Sequence, residues 1–77
     1  MRITVVDTDG LVLADSREAP ELMENHRDRP ELLQARREGS GKALRYSKTL
    51  KMRMFYFAHR VDGDAMEPAF VRLSLSL

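Results

Sequence analysis

Hydrophobic positions open the chain in two short runs, one from Ile3 that ends at Asp7 and one from Leu11 to Ala14. Between them stands Asp7-Thr8-Asp9-Gly10, and an Asp-Gly pair between apolar runs predicts a β-hairpin. Glycine accepts the positive φ of a primed turn, so the expected turn is centred on Asp9 and Gly10. The stretch from Asp15 to Asp28 is polar and interrupted by Pro20, which suits the first turn of a short helix through Leu22, Met23 and His26. A second helix follows. Asp28 and Glu31 have capping-box spacing, Pro30 stands just inside the start, and Leu32, Leu33 and Arg36 fall on one side. Gly39, with Gly41 close behind, supplies the stop, so the helix runs for about two to three turns.

From Lys42 the period changes to two. Ala43 to Tyr46 reads as a strand, Ser47-Lys48-Thr49-Leu50-Lys51 as its turn, and Met52 to Val61 as a longer strand. In that longer strand Met54, Tyr56 and Ala58 share one face and Phe55, Phe57 and Val61 the other. Apolar residues on both faces mark a central strand covered on both sides. Asp62-Gly63-Asp64 and Pro68 predict a further turn. The last strand alternates, with Val71, Leu73, Leu75 and Leu77 expected inward and Arg72, Ser74 and Ser76 outward. The order ββααβββ predicts an α+β domain, mostly antiparallel, with two short helices in the crossover between strands 2 and 3.

Composition narrows the function classes. A chain of 77 residues makes one domain, near the lower limit for a self-sufficient core. Its 43% hydrophobic and 32% charged residues suit a globular domain and argue against disorder. It has no cysteine and no metal signature, so the usual staples of a small fold are missing. Part of its stability is then expected from a partner or from further chain. The 13 basic and 12 acidic residues leave a formal charge of +1, too little to steer the chain toward nucleic acid or anionic lipid. No stretch approaches the roughly 18 apolar residues of a transmembrane helix. Met1-Arg2-Ile3 enters a strand at once without a signal-peptide layout, so the chain reads as a piece of a longer protein.

The segment "DTDGLVLADS" and the later "MENHRDRPELLQARREGSGKALRYSKTLKMRMFYFA" together resemble the sensor domain of phosphate-regulon (PhoR-type) histidine kinases. The resemblance rests first on the hairpin residues Asp9, Gly10, Val12, Leu13, Ala14, Asp15 and Ser16. It continues through Met23, Asn25, His26, Arg29, Pro30 and Glu31, then Gly39 and Gly41, and then Arg45, Ser47, Thr49 and Leu50. Met54, Tyr56 and Ala58 complete it, so nearly the whole chain is covered in order and spacing. Such a resemblance implies a PAS-like, Cache-related sheet of five antiparallel strands in spatial order 2-1-5-4-3, with helices on one face. It also implies a parent protein in which a transmembrane helix and a long, dimer-forming helix precede the domain. A second transmembrane helix and the cytoplasmic kinase domains would follow it. This chain carries neither flank, and the doubly apolar strand Met52 to Val61 is what a covering helix from outside would leave.

Several residues are candidates for signal or ligand contact. His26 titrates in the physiological range, although Asn25 and His26 equally suit the closing of a short helix on its exposed carbonyls, and we favour that role. Asn25, His26 and Asp28 match no strong zinc spacing. Arg29 and Arg45 carry guanidinium forks suited to carboxylate or phosphate, or alternatively to a helix end or to pairing with Glu31 or Asp15. Tyr46, Tyr56 and His59 are expected to line the space between sheet and helices, while Phe55 and Phe57 read as core. Asp62, Asp64 and Glu67 form an acidic loop without the calcium-loop pattern, and Lys48, Lys51 and Arg53 do not make a nucleic-acid patch. There is no phosphate-binding glycine loop and no nucleophile motif. The expectation is therefore an extracytoplasmic sensor module of a membrane-bound histidine kinase, without activity, metal or cofactor of its own. It would work as a homodimer within the parent, and a protein or membrane partner is preferred over a small ligand because no convergent polar site shows in the sequence. The alternatives are a ligand-free dimerisation or protein-interaction module, or a PAS-type domain of another signalling protein.

Overall fold

The structure is a computed structural model that describes residues 1–47, 51–61 and 69–77. Strands β1 (Arg2–Val6) and β2 (Val12–Asp15) form the hairpin, followed by a 3₁₀ turn at Pro20–Leu22 and one helix, α1 (Pro30–Glu38). Strands β3 (Ser40–Ser47), β4 (Met52–Arg60) and β5 (Phe70–Ser76) complete a single antiparallel sheet in the order β2-β1-β5-β4-β3. The α+β class and the strand order agree with expectation. The expected turn at 62–68, the acidic residues in it, and Lys48 lie outside the described residues.

The hairpin closes differently from the expected two-residue primed turn. Gly10 N–H donates to Asp7 O at 3.1 Å, which makes Thr8 and Asp9 the central residues, and neither has positive φ. Gly10 follows at φ 87°, and Asp7 N–H donates to Leu11 O at 2.9 Å. This is a three-residue loop whose glycine takes the left-handed bulge position. The Asp7 carboxylate favours it by accepting from the N–H groups of Asp9 and Leu11.

The expected first helix shrinks to the single turn Pro20–Leu22, because its segment spends its polar groups elsewhere. His26 N–H donates to Gly10 O at 2.8 Å and Asn25 Nδ2 to Asp9 O at 3.1 Å, tying this crossover to the hairpin turn. Helix α1 begins with Pro30 at its first turn and ends at Gly39, which has φ 93°. The capping box does not form, since the N-cap residue is Arg29 and makes no side-chain cap bond. Glu31 instead turns inward with Leu32 and Ala35, while Leu33 and Arg36 face solvent.

Gly41 in β3 lets the helix lie directly on the sheet. A Cβ there would stand 2.1 Å from Glu31 O and 2.9 Å from Ala35 N. Val6, Leu32, Ala35, Ala58, Ala69 and Phe70 form the core beneath α1. Leu32, 1% exposed, contributes about 1.5–3 kcal/mol by burial alone.

The largest departure concerns which face of the sheet is inside. Strand register aligns Thr4 with Arg72, Val6 with Phe70, Arg72 with Ala58 and Ser74 with Tyr56, and this is the face under the helix. Arg72 and Ser74 are thus buried, while Leu75 and Leu77 are exposed and Val71 and Leu73 only half-buried. The alternation in β5 holds, but its sense is the reverse of expectation. The opposite face carries Ile3, Val5, Phe55, Phe57, Val71 and Leu73, with no described residue packed over it. Among the described residues β4 is therefore covered on one side only.

Candidate functional site

Two buried carboxylates organise the helix side of the sheet. In the hairpin, Asp15 accepts Arg2 Nε at 2.9 and 3.0 Å, Thr4 Oγ1 at 2.7 Å, and the N–H groups of Arg17 and Glu18 at 2.9 and 3.1 Å. Burial works to raise the Asp15 pKa, but these donors together hold it below its ordinary value. Under the helix, the Glu31 side chain is fully enclosed and lies between two arginines from different strands. Arg45 Nη1 approaches its Oε1 at 2.5 Å and Arg72 Nε its Oε2 at 2.6 Å. Burial again pushes upward, and the Arg45 and Arg72 bonds with the Glu31 backbone N–H outweigh it, leaving the pKa lowered.

Tyr56 sits beside this triad. Arg45 and Arg72 stack on its ring, with guanidinium carbons 4.0 and 4.3 Å from the ring centroid. Burial lowers the Arg72 pKa although Glu31 opposes it, whereas at the less buried Arg45 the bond and charge of Glu31 overcome burial and the pKa is raised. Both stay charged.

Above Tyr56 and Arg72 the surface opens into a cleft of about 690 Å³ between the sheet and the crossover. Its floor is Tyr56, Arg72 and Ser74, and Met23, Met52 and Met54 form an apolar side. His26, Asp28, Arg29 and Pro30 rim it from the crossover, with Arg2, Arg17 and Arg45 around them. Five arginines thus face one lining carboxylate, Asp28. Glu31 pairs with Arg45 and Arg72, Asp15 and Glu18 pair with Arg2, and Glu24 pairs with Arg29, so among the described residues Arg17 is the lining arginine without an ion pair.

Of the six residues singled out in the sequence, His26, Arg29, Arg45 and Tyr56 line this cleft. Arg45 takes the pairing with Glu31, whereas Arg29 meets only Glu24 at 3.8 Å, an 89% exposed side chain. His26 is buried, and its Nδ1 lies 2.8 Å from Glu24 O, which fixes the proton on that nitrogen. Burial, then the charges of Arg72 and Arg29, lower its pKa, so the ring is neutral at neutral pH. Tyr46 and His59 are misplaced by the expectation. Tyr46 pairs with Arg53 and His59 with Val71, which sets both on the uncovered face, and both are exposed.

Arg72 was missed as a site residue, and Glu31 and Asp15 were foreseen only as pairing partners of Arg29 or Arg45. Glu31 matched a capping pattern, and Arg72 stood among leucines and valines as an apparent solvent position. A signal was present: β4 is apolar on both faces, so alternation could not tell which face the helix covers. Among the described residues no group of three or more metal-ligating side chains gathers, and no helix is long and apolar enough to cross a membrane. Compared with known proteins, the chain matches no family model, no curated protein and no solved structure.

Proposed function

We propose that this chain is the extracytoplasmic input module of a membrane-bound sensor histidine kinase of the phosphate-regulon type, with a PAS-like fold and no catalysis of its own. The observation that carries this reading is the position of β5. It lies between β1 and β4, and its Arg72 and Ser74 form the floor of the cleft. Whatever enters the cleft touches the strand that leads on toward the membrane in such a parent. A stimulus then biases two positions of β5 against the hairpin through its different affinity for them. The parent works as a homodimer in the bacterial cell membrane. Reading the frame on both sides of these residues tests this. Two flanking apolar stretches of about 20 residues, with a phosphoacceptor helix and a nucleotide-binding domain downstream, are expected. A frame holding neither removes the reading.

One observation favours a second reading, a protein-interaction module without a ligand. The bare sheet face exposes Ile3 by 40%, Leu44 by 57% and Leu75 by 41%. Its described ionisable strand residues are Lys42, Tyr46, Arg53 and His59, of which Lys42 and Arg53 carry positive charge. Two copies placed face to face would set these like charges together, so the partner in this reading is a different, acid-flanked apolar segment. A chain that stays monomeric while the cleft takes no ligand favours this second reading.

A further inference from the structure

Two side chains of the cleft floor, each more than nine-tenths buried, keep donors that no described residue engages. The Arg72 side chain is 8% exposed and bonds Glu31 through Nε alone. Among the described residues its two terminal nitrogens have no partner. Yet no buried side-chain nitrogen or oxygen is left unsatisfied, so these nitrogens reach the cleft rather than the packed interior. Ser74, two residues on in the same strand and 5% exposed, is in the same position: its hydroxyl has no described partner and is not sealed off. Terminal N–H groups that open on the cleft are available to an anionic ligand. Stacking on Tyr56 fixes the plane in which those N–H groups point.

Taking the cleft as the input site, and so resting on the reading above, we propose that it binds a small organic anion through Arg72, Ser74 and Arg29. Carboxylate and phosphate oxygens both match a guanidinium fork. Arg29 and Arg17 are free enough to close on the anion, since Arg29 has only its 3.8 Å contact with exposed Glu24 and Arg17 pairs with no described side chain. The body of the ligand is organic. A bare inorganic ion would leave most of the 690 Å³ empty, and Met23, Met52 and Met54 give the cleft an adaptable apolar lining. Neutral His26 at the rim adds an acceptor nitrogen and no charge.

Two probes separate the anionic heads: adipate carries carboxylates on an aliphatic body, and phenyl phosphate carries a phosphate on an aromatic one. Inorganic phosphate and adipamide are the controls. Titrating each into the ¹⁵N-labelled chain is expected to give saturable shifts at Tyr56, Arg72 and Ser74 with adipate or phenyl phosphate, and which of the two binds assigns the head group. Arg29→Gln and Ser74→Ala, each first checked for a dispersed, folded spectrum, are expected to weaken binding by about tenfold. The affinity falls as salt rises. No saturable shift with either probe overturns the proposal, as does equal binding of inorganic phosphate or adipamide. Unchanged affinity in both variants overturns it too. Binding by the chain without any response in the parent kinase leaves the site standing and removes the sensory reading. A parent that responds to β5 cross-linking while the chain binds neither probe does the reverse.

Discussion

Replacing Glu31 with glutamine tests whether the Arg45–Glu31–Arg72 triad holds the helix to the sheet. Glutamine keeps the side chain's shape but removes the charge that two guanidiniums share, one of them 8% exposed. Its amide can accept from one arginine only, and its NH₂ group then confronts the other. Breaking one member out of a buried ion cluster costs about 3–5 kcal/mol. A domain of 77 residues has in total about 4–12 kcal/mol of stability. The variant is therefore expected to lose about a quarter or more of its stability. Urea unfolding followed by far-ultraviolet circular dichroism reads this, since the chain has no tryptophan to report by fluorescence. With a slope of about 1 kcal/mol per molar, the midpoint should drop by about 3 M or the variant should fail to fold. The triple exchange Glu31→Leu, Arg45→Met and Arg72→Met should recover most of that loss, because removing all the charges together spares their desolvation. A midpoint drop below about 1 M for Glu31→Gln would refute the reasoning.

Three further outcomes follow from the same geometry. Gly41→Ala drives a methyl into the Glu31 carbonyl and is expected to cost at least the about 1–3 kcal/mol of an overpacked core, read by the same urea assay. Acidification should act in two windows. His26 is buried neutral with its pKa lowered, so the unfolded chain takes the proton first, and stability falls as pH drops below about 6.5. Glu31 and Asp15, also lowered, give stability that is complete above their ordinary values of 4.5 and 3.8 and is lost as pH falls further. His26→Asn should abolish the upper window and leave the lower one; an unchanged midpoint profile contradicts the His26 assignment. On the bare face, Leu44→Lys or Leu75→Lys should move thermal stability by no more than about 0.5 kcal/mol, because neither leucine is buried.

Much of the fold was legible because local signals were strong. Asp7 to Gly10 between β-branched runs specified the hairpin, Pro30 and Gly39 bracketed the helix, and period-two alternation marked β3, β4 and β5. The exact loop was not legible, since Asp-Gly serves both a primed turn and a left-handed bulge, and the Asp7 carboxylate decided between them. Sheet polarity was not legible either. Alternation in Val71 to Leu77 says that the two faces differ, not which one the helix covers, and a helix carrying Glu31 inward selects the face with Arg72 and Ser74. Once that choice is inverted, Arg45 and Tyr56 fall into the cleft while Tyr46 and His59 fall on the bare side. The resemblance-based order 2-1-5-4-3 agrees with the sheet, which ladder pairing alone could not have specified from the sequence.

The central claim is that β5 moves against β1 to carry the signal, and the register shows where to stop it. Ile3 and Leu73 are directly opposed across the two strands. The measurement is the autophosphorylation rate of the parent kinase in membrane vesicles, with Ile3→Cys and Leu73→Cys together, oxidised and then reduced. The account predicts that the cross-linked kinase is held at one rate, about fivefold or more from that of the reduced enzyme, and that reductant restores the original rate. Equal rates in both forms, with the cross-link verified, would contradict it.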